Sequence, residues 1–75
     1  MIREICKLHS QLDFDKQILI KFNRFEHETA IQKADILKIE GTDDDVLKVI
    51  KPNGEIRLIN SNHIIMAYFT RRTLL

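Results

Sequence analysis

The 75-residue chain has no tryptophan, one proline, two glycines and a single cysteine. Each scarcity excludes something. Cys6 has no partner with which to form a disulfide within the chain, so the fold is not a disulfide-stapled one. The first residues do not read as a secretory signal, and the expected setting is reducing and cytoplasmic. No apolar run approaches the roughly 20 residues that span a bilayer, so no membrane partner is expected. The run from Ile64 to Phe69 is only strand-length. Excess charge of one sign is also lacking. Twelve Lys and Arg against eleven Asp and Glu leave a net charge of +1, which excludes a strongly basic binder of the histone type but not a local basic patch.

What is present reads as a globular domain. Hydrophobic residues make up 44% of the chain, too many for intrinsic disorder. The length bounds it to a single domain, residues 1–75, with no internal repeat, linker or low-complexity segment. A chain this short buries only about 60% of its unfolded surface, and such domains often gain stability by oligomerising or docking.

Ile2, Ile5, Leu8 and Leu12 recur at spacings of three and four, which predicts a short helix over 2–12 with Cys6 beside the stripe. Asp13-Phe14-Asp15 ends it. Residues 17–25 then alternate, with Ile18, Ile20 and Phe22 on one side. Phe25 falls out of phase, which predicts a bulge near Asn23-Arg24 and a turn at Glu26-His27-Glu28. A strand over 29–40 carries Ile31, Leu37 and Ile39 on one parity, and Gly41 with Thr42-Asp43-Asp44-Asp45 closes it. Strands over 46–51 and 55–59 flank Asn53-Gly54, the dipeptide of a two-residue type I′ hairpin. Pairing outward from that turn sets Val49 opposite Leu58 and puts Leu47 with Ile56 on one face. Lys48, Ile50, Arg57 and Ile59 then share the other. Asn60-Ser61-Asn62 is a second turn, residues 63–69 form the last strand, and Arg71 onward reads as a loose tail. The expected class is mostly β (α+β): a short N-terminal helix followed by about five antiparallel strands bent into a small barrel.

No motif specifies an enzyme. Cys6 and His9 are one helical turn apart, but a nucleophile also needs an orienting third group. Cys6, His9, His27 and His63 are zinc-ligand types without the short-spaced pairs of a zinc site, so no metal or other cofactor is expected. The Asp43-Asp44-Asp45 run lacks the alternating ligands of a calcium loop and reads as a solvated turn. Arg57, Arg71 and Arg72, near Tyr68 and Phe69, would make a basic face with stacking aromatics for single-stranded nucleic acid. The competing reading buries Tyr68 or Phe69 and leaves the arginines as solubilising charge.

The stretch Asn62-His63-Ile64-Ile65 resembles the second signature of the bacterial Sm-like RNA-chaperone (Hfq) family, with His63 and Ile65 at its histidine and isoleucine. Asp43 followed by Val46-Leu47 looks like the first signature. The order of helix and strands extends the resemblance over nearly the whole chain. Asn62 stands where the family has lysine and Asp45 where it has a base-stacking aromatic. The glycine before the second strand is missing, with Glu26-His27-Glu28 near that point. The resemblance implies an SH3/Sm-like barrel and a homo-oligomeric RNA-binding regulator. Asn62 and His63, with Arg57, Arg71 and Arg72, would make the contact, and edge strands from 46–51 and 63–69 would join subunits. The alternative is a protein-interaction module, such as a small phage or plasmid inhibitor or adaptor, that binds through a strand edge or an apolar patch.

Overall fold

The computed structural model describes residues 1–23, 28–41, 43 and 45–72. It is mostly β, with one short N-terminal helix, α1 (Ile2–Ser10). Six strands follow among the described residues: β1 (Lys16–Phe22), β2 (Thr29–Gln32), β3 (Ile36–Glu40), β4 (Val46–Ile50), β5 (Ile56–Asn60) and β6 (Ile64–Arg71). They form two antiparallel three-stranded sheets, ordered β2-β1-β6 and β3-β4-β5. No ladder closes the two sheets into a barrel among the described residues. The last strand returns to the first, so the N- and C-terminal halves share one sheet.

Helix α1 stops two residues earlier than the apolar spacing predicts. The Gln11 amide donates to the Leu8 carbonyl and the Leu12 amide to the His9 carbonyl, both at 3.1 Å. These i→i−3 bonds tighten the end of the helix while still delivering Leu12 to the interior. Ile2, Ile5 and Leu12 are buried with Ile18, Ile20, Ile31, Leu47, Val49 and Ile59 in one cluster, with Leu8 and Cys6 packed at its margin. The helix therefore caps a core drawn from both sheets.

The single strand expected over 29–40 is two strands, broken at Lys33-Ala34. Asp35 explains the break. Its carboxylate accepts the Gln32 amide at 2.8 Å and the Lys51 ammonium at 2.6 Å, and its side chain is 1% exposed. Lys51 also donates to the Ala30 carbonyl at 2.7 Å. A buried carboxylate demands such partners, and meeting the demand folds the chain over itself at this corner. The strand count rises from about five to six for this reason.

The hairpin at 51–55 also departs from the type I′ expectation. The Lys51 amide donates to the Glu55 carbonyl at 2.8 Å and the Gly54 amide to the Lys51 carbonyl at 2.9 Å. The loop is thus three residues, Pro52-Asn53-Gly54, with Gly54 at φ +90°. Proline presets the first turn position, and the Asn53 side chain accepts the Glu55 amide at 2.9 Å. The register moves by one: Lys48 faces Leu58, Val49 faces Arg57, Leu47 faces Ile59 and Ile50 faces Ile56. A one-residue slip swaps faces. Leu47, Val49 and Ile59 go inward, while Ile56 and Leu58 turn out to solvent at 54% and 68% exposure.

The strand over 46–51, expected at an edge, is central in its sheet; β5 is the outer strand beside it. The last strand, β6, does lie at an edge. The register of the β1–β6 ladder shifts between Lys21 and Phe22, where the β6 partners jump from Met66 to Ile64, so the extra residue of the bulge is Ile65, on β6. The bulge expected at Asn23-Arg24 and the turn at Glu26-His27-Glu28 lie largely outside the described residues, as do Thr42 and Asp44 of the acidic turn. Arg71 is not part of a loose tail but closes β6, and the Arg72 amide donates to the Asp15 carbonyl at 2.8 Å. No described helix is long and apolar enough to cross a membrane.

Candidate nucleic-acid interface

The short 3-10 turn Ser61–His63 connects β5 to β6. The Asn60 side chain accepts the Asn62 amide at 2.9 Å, a local cap that frees the turn from the ladder. The Ser61 amide donates to the Asp45 carbonyl and the Asn23 amide to the His63 carbonyl, so both flanks of the turn are pinned. Asn62 is left exposed, and His63 stands half-buried at the entry of β6.

Arg57 faces Val49 and so leaves its strand on the side of the sheet that carries the buried Leu47, Val49 and Ile59. Its guanidinium bonds Glu55 at 3.0 Å, with both side chains about half exposed. Arg57 and His63 line one cleft of about 380 Å³ with Phe22, Thr29, Ile59 and Asn60. Asn62 does not line it.

Arg71 and Arg72 lie elsewhere. Ile64 pairs with Phe22 at one end of the β1–β6 ladder and Arg71 pairs with Lys16 at the other, a strand length of about 24 Å at 3.4 Å per residue. Thus Asn62, His63 and Arg57 belong to one end of the molecule and the two C-terminal arginines to the other. Arg72 is also committed locally, because its guanidinium donates to the Phe14 carbonyl at 3.1 Å.

The aromatic residues divide similarly. Lys21 sits 5.8 Å from the Tyr68 ring centre and pairs with Glu28 at 3.5 Å, so a face of Tyr68 already has a cation over it. Phe22 packs against the core. Phe69 is 45% exposed and Phe14 69%. Phe69 and Arg71 line a second cleft, of about 300 Å³, with Gln11, Leu12, Lys16 and Thr70. Lys16 carries no sequence signal for this position, because only the β1–β6 register brings it opposite Arg71.

Among the described residues, the candidates for catalysis or metal binding do not gather into a site. His9 donates through Nε2 to the Gln32 carbonyl at 3.0 Å, tying α1 to β2. Burial pushes the Cys6 thiol above its ordinary pKa, the direction that disfavours the nucleophilic thiolate. Among the described residues no three His, Cys, Asp or Glu side chains gather as a metal site; His27 lies outside them.

Compared with protein-family models, with curated proteins and with solved structures, the chain finds no significant match in any of the three.

Proposed function

We propose that this protein is a small, cytoplasmic, non-enzymatic binding module. Its best concrete form is an Sm-like regulator that self-associates and binds single-stranded nucleic acid. The observation that carries the reading is the meeting of Arg57, on β5, and His63, at the end of the 3-10 turn that follows it, in one cleft. Their combination of a fixed cation, a ring that stacks or hydrogen-bonds, and an apolar wall formed by Phe22 and Ile59 suits a nucleotide in an extended strand. The order of elements supports the same reading: a helix, an antiparallel meander, a short 3-10 turn before the last strand, and that strand back beside the first. Self-association would use the outer strands β5 and β6. Among the described residues neither pairs on its outer edge, and both expose apolar side chains, among them Leu58, Ile65 and Met66.

The test combines mass in solution, 260 nm absorbance of the purified protein, and titration of a labelled single-stranded oligonucleotide. An oligomer that binds micromolar RNA or DNA, with affinity falling steeply as salt rises, supports the reading. A clean monomer that binds neither at low salt sinks it.

A second reading is favoured by a different observation. Ile36, Ile50 and Ile56 form one row across the outer face of the second sheet, with Leu58 beside it. Ile36 and Ile56 are each 54% exposed. A contiguous apolar row of this kind is suited to burial against a protein partner. Under that reading, a protein partner buries the row and the clefts stay empty.

A further inference from the structure

The cleft at the Arg71 end of β6 has a chemistry of its own. Lys16 and Arg71 are direct cross-strand partners, the Cα pair that ends the β1–β6 ladder. Like charges at facing positions repel. Neither has an ion-pair partner among the described residues, although Asp13 and Asp15 lie in the adjoining loop. Phe69 stands next on the same face, in phase with the core residue Ile18, yet nearly half of it is exposed. Buried Leu12 forms the floor and Gln11 supplies an amide at the rim. The Arg72 bonds to the Phe14 and Asp15 carbonyls hold the end of the strand, so Arg71 is positioned by backbone and not left on a free tail. The volume of about 300 Å³ is at the lower bound of ordinary small-molecule clefts.

We infer that this cleft binds one nucleoside monophosphate unit. The base stacks on Phe69 and the phosphate sits between Lys16 and Arg71, relieving their repulsion. Gln11 faces the polar edge of the base. The unit has two sources, a free mononucleotide or a nucleotide within a single strand, and the recognition chemistry is the same for both. The site does not depend on the Arg57–His63 cleft, which lies at the other end of the ladder.

The test is backbone-amide NMR on the full chain, with three probes: adenosine 5′-monophosphate, inorganic phosphate and a ten-nucleotide single-stranded RNA. Expected are shifts at Gln11, Lys16, Thr70 and Arg71 on addition of the mononucleotide or of the RNA. Saturation by the mononucleotide marks a free-nucleotide site, whereas response to RNA alone marks a strand subsite; either supports the inference. Phe69→Ala should weaken binding at these amides by roughly tenfold, the order expected for one stacked base. The Lys16→Gln, Arg71→Gln double variant should abolish the mononucleotide response. Inorganic phosphate should bind far more weakly than the mononucleotide. Equal affinity for both probes, with no effect of Phe69→Ala, would overturn the inference. So would RNA shifts confined to Arg57 and His63, which leaves the proposed function standing. Shifts confined to the Lys16–Arg71 cleft would support this site and sink the Arg57–His63 reading.

Discussion

Asp35 and Lys51 are the residues on which the corner of the fold turns. The Asp35 carboxylate is almost fully enclosed, while Lys51 keeps 17% of its side chain exposed. The two halves of the pair are therefore not equivalent on mutation. Lys51→Met leaves a buried carboxylate with the Gln32 amide as its remaining partner, and removing one member of a buried pair costs about 3–5 kcal/mol. Asp35→Asn keeps an oxygen for the Gln32 amide and lets Lys51 reach water or stay on the Ala30 carbonyl, so its cost should be smaller. The double variant should recover much of the loss, because apolar or neutral replacement of both partners is often tolerated. Urea unfolding of the four proteins in a double-mutant cycle measures this; additive costs, with no recovery in the double variant, would show that the pair is not the anchor of the corner. Cys6→Ala belongs to the same scale. A half-buried thiol with a raised pKa should be replaced at small cost and, under the proposed function, with nucleic-acid affinity unchanged in a direct titration.

At the scale of the element, the 51–55 hairpin decides which side chains reach the core. Gly54 sits at φ +90° with open space where a Cβ would go, so the cost of Gly54→Val is backbone strain alone. That cost is about 1–3 kcal/mol, and each kcal/mol lowers the melting temperature of a domain this size by about 4–8 °C. An unchanged thermal midpoint would show that the turn tolerates a β-branched residue there. The helix gives a graded comparison. Ile5 is fully buried, and Ile5→Ala should cost about 2–5 kcal/mol; Leu8, at the margin of the core, should cost less. The same two elements show what the sequence makes legible. The spacing of Ile2, Ile5, Leu8 and Leu12 announces the helix and its buried stripe, because helical periodicity is a local property. Strand existence is equally local, and β1, β4, β5 and β6 fall where alternation and turn residues put them. Register is not local. Pro52 and the Asn53 side chain stabilise a three-residue loop in place of the two-residue one that Asn53-Gly54 suggests, and that single residue reverses the faces of Ile56, Leu58, Arg57 and Ile59. The break at Asp35 was hidden for the same reason, since its cause is Lys51, sixteen residues away. Of the candidate site, Arg57 with His63 converges, whereas Lys16 opposite Arg71 exists only through the pairing of the first and last strands.

For the molecule as a whole, the issue is what covers its open edges and apolar faces. Sheets of three strands leave outer strands unpaired, and β5 and β6 both end a sheet with aliphatic side chains exposed. The hydrogen-bond alternation of β5 identifies a substitution that tests this without disturbing the monomer. Lys51 and Glu55 form a hydrogen-bonded pair at the hairpin end, so the next such pairs are Val49 with Arg57 and Leu47 with Ile59. The Leu58 amide therefore points away from β4, toward the free edge. Leu58→Pro removes an outward donor and leaves the β4–β5 ladder intact, the position where an edge strand tolerates proline. If copies join through β5, this variant should fold with a melting temperature near the parent's while its mass by light scattering falls to that of the monomer. Under the proposed function, nucleic-acid affinity should fall with it, because linked copies act on one strand with an effective concentration that single copies lack. A parent that is already monomeric at all concentrations would remove the assembly from the proposal and shift weight to the Ile36–Ile50–Ile56 row as the surface of a protein-binding module. A parent that remains oligomeric after Leu58→Pro would place the contact on that row or on β6, and Ile56→Lys, on the exposed side of the row, would then separate the two.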